Sequence, residues 1–160
     1  MTLKIGDRIP DVTLWTMGDE GPQSVASHDL CKGKRVVLFG LPGAYTPTCS
    51  ARHLPGYVEQ AEAFHAKGID SIICLSVNDV FVMDAWGKDQ RVGDKILMVA
   101  DGSAEFTRAA GLDADMTARG FGVRSQRYAM VIEDCVVQAL NIEAPGQFQL
   151  SDANTIRALL

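Results

Sequence analysis

The sequence predicts an α/β fold in which helices flank a central mixed β-sheet, within one domain spanning residues 1–160. Three observations predict it. Two short apolar runs, "RVVLFGL" (Arg35 to Leu41) and "SIICLSV" (Ser71 to Val77), have the length and β-rich composition of strands covered on both faces. The stretch between them, Cys49 to Lys67, reads as a helix that Gly68 closes in a C′ position. Further on, "RYAMVIEDCVVQALNIE" reads as two strands around Glu133-Asp134-Cys135, a β-hairpin.

In chain order, an N-terminal stretch with short strands precedes the first apolar run. Strand, helix and parallel strand then make a βαβ unit, whose crossover is right-handed. "VFVMDAWGKDQ" follows as a short helix, "KILMVAD" as a strand and "AEFTRAAGL" as another helix. After the hairpin, "SDANTIRALL" ends the chain as a helix with Ser151 as its N-cap. A βαβ half joined to a hairpin half and a terminal helix describes a thioredoxin-like α/β sandwich. Without an internal repeat, low-complexity tract or linker, one domain is expected.

Composition narrows the function classes. A chain of 160 residues, 47% hydrophobic, can bury a substantial core. No apolar run approaches the roughly 18–20 residues of a membrane span. "MTLKIGDRIPDV" has neither the succession of a signal peptide nor the Arg- and Ser-rich character of a transit peptide. A net charge of −5 with no basic run argues against nucleic acid and anionic membrane as partners. The four cysteines, Cys31, Cys49, Cys74 and Cys135, include no C-x-x-C pair and no metal-ligand spacing. Reduced thiols in a cytoplasmic protein are expected.

"PGAYTPTCSARHLPGY" (Pro42 to Tyr57) places a thiol where a buried strand turns into a helix. Thr46 suits the N-cap and Pro47 the N1 position, which sets Cys49 in the first turn. There the free N–H groups and the positive end of the helix dipole favour a thiolate. Ionisation alone does not make a fast thiol enzyme. Lowering a thiol's pKa by about two units gains only ~25-fold in thiolate, or about 2 kcal/mol. Donors must also stabilise the leaving oxygen. Thr46 offers a hydroxyl on the same turn, and an arginine from elsewhere would complete such a site. The pattern by itself equally admits Cys49 as a small buried hydrophobe at a helix start.

"PGAYTPTCS" resembles the active-site motif P-x-x-x-T/S-x-x-C of the peroxiredoxins, and its P-G-A-x-T-P-T-C-S form is similar to the peroxiredoxin 5 subfamily of thiol peroxidases. "GKRVVLFGLPG", "HLPGY", "SVNDVFVMDAW", "ADGSAEFTRAAGL" and "VRSQRYAMVIED" extend the resemblance from about Ile5 to the C-terminal helix. It implies that Cys49 is the peroxidatic cysteine, whose thiolate attacks a peroxide oxygen and becomes a sulfenic acid. It implies that Thr46 hydrogen-bonds the thiolate and the peroxide, and that Pro42 shields the sulfenate from water. Arg127, in "SQRYAM", is then the cation that stabilises the thiolate and polarises the O–O bond; Arg124 is the competing assignment.

The resemblance further implies hydrogen peroxide and alkyl hydroperoxides as substrates and no metal or prosthetic group. It also implies an external reductant (glutathione, glutaredoxin or thioredoxin) and a homodimer. Some members of the subfamily resolve the sulfenic acid with a cysteine near the C-terminus, where this chain reads "GQFQLSDAN". One-cysteine chemistry with glutathione and glutaredoxin is therefore expected. A redox sensor that relays oxidation from Cys49 to a partner is the alternative.

Other residues have blander readings. His53, four residues after Cys49, suggests a Cys/His hydrolase but reads more simply as a packing or surface histidine. Pro55 should kink the helix, because it removes the N–H that would pair with the carbonyl of Ala51. Phe81, Val82, Met83 and Trp86 form an apolar cluster at helical spacing, part of which the resemblance sets beside a dimer contact. Cys74 reads as a buried strand residue and Cys31 as part of a loop; Cys135 stands in a hairpin turn, which could expose an unusual thiol but reads more simply as incidental.

Overall fold

The computed structural model describes residues 1–160 and is a seven-stranded mixed sheet with helices on both faces and a separate two-stranded sheet. The first elements are β1 (Thr13–Gly18), β2 (Gly21–Ala26), a short α1 (Ser27–Cys31) and β3 (Arg35–Leu41). A π-helical turn, Cys49–His53, leads into α2 (Leu54–Ala66). Then come β4 (Ser71–Ser76), α3 (Val80–Asp89), β5 (Leu97–Ala100) and α4 (Glu105–Ala109). The small sheet is β6 (Asp113–Asp115) with β7 (Val123–Ser125), separated by a 3₁₀ turn at Thr117–Arg119. The hairpin β8 (Tyr128–Glu133) and β9 (Val136–Ile142) and the helix α5 (Ala153–Arg157) complete the chain.

Strand order is β2-β1-β5-β4-β3-β8-β9. The predicted βαβ unit sits at its centre: β3 and β4 pair in parallel with Phe39 opposite Cys74, and β8 pairs antiparallel with β3. Side-chain alternation along these strands divides the core into two clusters. Val37, Phe39, Leu41 and Cys74 face α2, α3 and α5 together with Cys49, Tyr57, Phe64 and Trp86. Val36, Leu38, Ile73 and Leu75 face the opposite way and pack with Phe106, Cys31 and Cys135.

Several local expectations change. At Pro55 the structure shows a turn widened by one residue, in which the Leu54 N–H bonds the carbonyl of Cys49. A π turn places the missing donor and the ring of Pro55 where the α-helical ladder is already interrupted. Helix α2 ends as expected, with Gly68 at φ +91°. Helix α5 is capped by Asp152, whose carboxylate accepts from the Thr155 N–H at 3.1 Å, and not by Ser151, whose hydroxyl is committed to Glu143 at 2.7 Å. Cys31 closes α1 and is buried instead of lying in a loop.

Cys135 is also buried, with 1% of its surface exposed. It occupies the second position of a two-residue turn, Asp134 and Cys135 having φ +45° and +69°. Its thiol points inward to the carbonyl of His28 at 3.4 Å. A two-residue hairpin with the strand's own twist requires positive φ at both central positions, a conformation cysteine adopts only under constraint.

Candidate functional site

The site is assembled at the C-terminal end of β3. There the chain leaves the sheet at Leu41, turns through Pro42 to Tyr45 and enters the helical turn that carries Cys49. Gly43 allows a close approach in this turn: a Cβ there would lie 2.6 Å from Nη1 of Arg124. Arg124 donates to the carbonyls of Pro42 at 3.3 Å and Phe121 at 3.0 Å, so it braces the loop backbone. From the other side Asn78 Oδ1 accepts from the Ala44 N–H at 2.9 Å and from Ser76 Oγ at 2.6 Å. Trp86 Nε1 holds the start of the helix by donating to Ser50 Oγ at 3.0 Å.

Cys49 is fully buried. Its Sγ accepts from Nη2 of Arg127 at 3.2 Å, so of the two arginines considered it is Arg127 that reaches the thiol, from the segment between β7 and β8. The other arm of the same guanidinium, Nη1, donates to Nδ1 of His53 at 2.9 Å. With Nδ1 accepting, the His53 proton sits on Nε2, which donates to the Ser151 carbonyl at 3.1 Å. Tyr57 donates to the same carbonyl at 2.7 Å.

Burial and the adjacent Arg127 charge push the His53 pKa down to about 3, so the imidazole is neutral over the physiological range. His53 is therefore neither a surface histidine nor a general base for Cys49. Both ring nitrogens are occupied, one by Arg127 and one by Ser151. The Cys/His hydrolase reading ends with that geometry.

Behind Ser151 stands Glu143, which the sequence does not mark. Its carboxylate accepts from the N–H groups of Gln149, Leu150 and Ser151 and from the Ser151 hydroxyl, at 2.7 to 3.0 Å. Burial acts to raise its pKa, but these hydrogen bonds outweigh burial and hold it below the usual glutamate range. Glu143 thus fixes the 144–150 loop, whose Phe148 ring lies 5.1 Å from the ring of His53.

Thr46 is at the start of the helix as expected, but its hydroxyl donates to the Gly43 carbonyl at 2.8 Å and neither caps the helix nor bonds Cys49. With its proton given to Gly43, the hydroxyl can act only as an acceptor in the cavity that Pro42, Thr46 and Arg127 line. This cavity measures about 720 Å³. Such a site can hold a peroxide between a guanidinium donor and a hydroxyl acceptor, with a thiol immediately behind.

The remaining cysteines divide by sheet face. Cys74 lies in the same core cluster as Cys49, and burial, reinforced by the neighbouring Cys49, pushes its thiol pKa well up. Cys49 and Cys74 are both fully buried. Cys31 and Cys135 are on the opposite face. Burial raises the pKa of Cys31 to about 12. No group of three or more His, Cys, Asp or Glu side chains is placed to hold a metal ion, and no helix is long and apolar enough to cross a membrane.

Known proteins resemble the chain over nearly its whole length. The Redoxin family profile matches residues 4–156. Peroxiredoxin-2B of Arabidopsis thaliana is 46% identical over 155 residues, which cover 96% of this chain and 96% of the plant protein. The reduced Prx3 of Vibrio vulnificus, solved in complex with hydrogen peroxide, superposes with a TM-score of 0.95 at 49% identity and covers 99% of each chain. A Burkholderia cenocepacia protein described as a thioredoxin reductase has the same fold, with a TM-score of 0.98 at 53% identity over 100% of this chain and 99% of its own.

Proposed function

Since this chain belongs to the peroxiredoxin family of thiol peroxidases, we propose that Cys49 is its peroxidatic nucleophile and that Thr46, Arg127 and Pro42 complete the active site. The observation that carries this reading is the 3.2 Å contact of Arg127 Nη2 with Cys49 Sγ, made by a guanidinium whose other arm is held by a neutral histidine. A guanidinium cannot turn away from the sulfur without losing that second bond.

The chemistry follows from the arrangement. The thiolate attacks the nearer peroxide oxygen; the S–O bond forms as the O–O bond breaks, and the leaving oxygen takes a proton to depart as water or alcohol. Arg127 faces the negative charge that passes from sulfur to the leaving oxygen, so its bond strengthens in the transition state. Thr46 accepts the hydrogen of the incoming hydroperoxide, because its own proton is spent on Gly43. Pro42 closes the cavity on the loop side. The family needs no prosthetic group, since sulfur itself carries the oxidising equivalent.

Finer assignments complete the proposal. The enzyme is a single-domain member of the peroxiredoxin 5 type that uses one-cysteine chemistry: glutathione attacks the sulfenic acid, and glutaredoxin or a second glutathione removes the adduct. The "PGAYTPTCS" motif supports the subgroup. The lack of a cysteine in "GQFQLSDAN" supports an external thiol. The reductant meets Cys49 when the helical turn opens, as the sulfur is enclosed when the turn is closed. Four free, buried thiols suit the reducing cytoplasm. Exposed Tyr45 and Phe81, at 51% and 63%, suit a homodimer contact on that side.

Peroxide consumption measured separately with thioredoxin, glutathione and glutathione plus glutaredoxin tests the reading. Turnover should be fastest with glutathione and glutaredoxin. Turnover with thioredoxin alone would replace that reductant, and no turnover with any thiol would leave Cys49 without a peroxidatic role.

A further inference from the structure

The cavity beside Cys49 is far larger than hydrogen peroxide requires. A peroxide occupies about the space of two waters, ~60 Å³, whereas the cavity holds about 720 Å³, a size suited to an extended organic molecule. Its walls carry three arginines, Arg52, Arg119 and Arg127, in a chain of net charge −5.

Only Arg127 is engaged. The exposed side chains of Arg52 and Arg119 make neither a hydrogen bond nor an ion pair, although the chain pairs cations with carboxylates elsewhere, as at Lys4–Asp7 and Lys88–Asp84. Of the two wall carboxylates, Glu143 is occupied by donors of its own loop, and Asp113 stands on β6. The Arg52 guanidinium is not free to wander: it lies over the Phe148 ring, 4.7 Å from its centroid, on the loop that Glu143 fixes. A stacked guanidinium keeps its N–H fork available in plane, which is the geometry that grips a carboxylate bidentately.

We propose that Arg52 and Arg119 form a carboxylate-recognition mouth to the Cys49 cavity, which takes an organic anion and, first among these, a dicarboxylate peptide thiol of the glutathione type. The ligand's carboxylates rest on the two outer arginines while the site is closed; as the Cys49–His53 turn, which carries Arg52, opens, Arg119 keeps hold of one of them and the thiol meets Cys49. In the covalent step the incoming thiolate sulfur bonds Cys49 Sγ, the S–O bond of the sulfenic acid breaks, and the oxygen leaves with a second proton as water. Glutathione is oxidised and Cys49 reduced to the mixed disulfide; a second thiol attacks this adduct, giving glutathione disulfide and the Cys49 thiol. The proposal rests on the glutathione reading above. The other source of the same chemistry is a hydroperoxide that bears a carboxylate.

Two kinetic arms separate the sources. In the first, protein oxidised with one equivalent of peroxide is mixed with glutathione or with neutral 2-mercaptoethanol, and loss of the sulfenic acid is timed. The ratio of the two rates should fall tenfold or more in the R52Q/R119Q variant, and the wild-type ratio should fall as salt is raised. In the second, reduced protein is mixed with a fatty-acid hydroperoxide or with cumene hydroperoxide, and the same ratio is taken. A fall confined to the second arm assigns the mouth to the oxidising substrate.

R119Q alone, on an exposed turn away from the Cys49 backbone, should shift the affected ratio about threefold and guards against a folding defect in the double variant. Unchanged ratios in both arms overturn the proposal. If wild-type protein is not reduced by glutathione at all, the reductant reading fails, and the hydroperoxide arm decides the mouth by itself.

Discussion

Nδ1 of His53 accepts a 2.9 Å hydrogen bond from the same guanidinium that reaches Cys49 Sγ, and its Nε2–H is tied to the Ser151 carbonyl. The histidine thereby converts a flexible arginine into a fixed donor. Preorganised donors of this kind need no reorientation when charge develops on the leaving oxygen. His53→Ala should lower the rate constant for peroxide about tenfold or more while Cys49 remains present. His53→Gln should restore part of it, because its amide can both accept from Arg127 and donate to Ser151. Equal rates for the alanine and glutamine variants would show that His53 merely fills space.

Arg127→Lys tests the fork itself. An ammonium is a point charge and cannot bond Cys49 and His53 with the geometry of two guanidinium arms. The variant should lose about 100-fold in peroxide reduction, the usual cost of a removed transition-state donor. Stopped-flow rates taken against pH supply the check. Recovery of wild-type rates in alkaline buffer would mean that Arg127 serves only to ionise the thiol.

Cys49→Ser should abolish peroxide turnover with the fold retained, since serine nearly matches the buried volume but stays protonated and cannot form a sulfenic acid. Circular dichroism and a peroxide-consumption assay on the same sample make the test. Substantial activity in this variant would sink the assignment of the nucleophile.

Acid should unfold the protein partly through His53. Its pKa is about 6.5 when unfolded and about 3 when folded, so the unfolded chain binds the extra proton between those values. The stabilisation is fully present above about pH 6.5 and is lost as pH falls towards 3, in total roughly 3–5 kcal/mol for so large a shift. Glu143, also depressed in the fold, adds its own loss only below its ordinary value of 4.5. Denaturant midpoints between pH 6.5 and 4.5 therefore report mainly on His53, and His53→Gln should flatten that segment. An unchanged slope in the variant would place the acid sensitivity elsewhere.

Much of this was legible in the residues. β3 is read at its observed bounds, and β4 and the β8–β9 hairpin nearly so, because buried strands declare themselves as continuous apolar runs. Arg127 reaches Cys49, and Pro42, Thr46 and Arg127 line one cavity, although Thr46 bonds Gly43 and not the thiol. His53 packs in the interior, one of its two expected readings, but its hydrogen-bonding role is not legible, because its partners, Arg127 and the Ser151 carbonyl, lie 74 and 98 residues away. Glu143 and Asn78 were missed for the same reason: each acts on backbone groups that only the folded loops present. The β6–β7 pair was invisible, since strands of three residues reading "DAD" and "VRS" carry no usable alternation.

The fate of the sulfenic acid is the last prediction. Cys74 is the internal thiol nearest in kind, sharing the core cluster of Cys49, but burial keeps it protonated and therefore a poor nucleophile. Its strand is also paired on both sides, with β3 and β5, so it cannot advance without breaking the middle of the sheet. Cys31 and Cys135 are on the other face and cannot reach the site while the sheet is intact. The Cys49 turn is the part that can yield, being a π-helical segment with a proline just beyond it. Opening there presents the oxidised sulfur to an external thiol. Intact mass after one equivalent of peroxide should therefore show one added oxygen without glutathione and a single glutathione adduct with it, in wild type and in Cys74→Ser alike. A Cys49–Cys74 disulfide in the wild type, together with loss of turnover in Cys74→Ser, would overturn one-cysteine chemistry and make the sheet's central strand the element that moves.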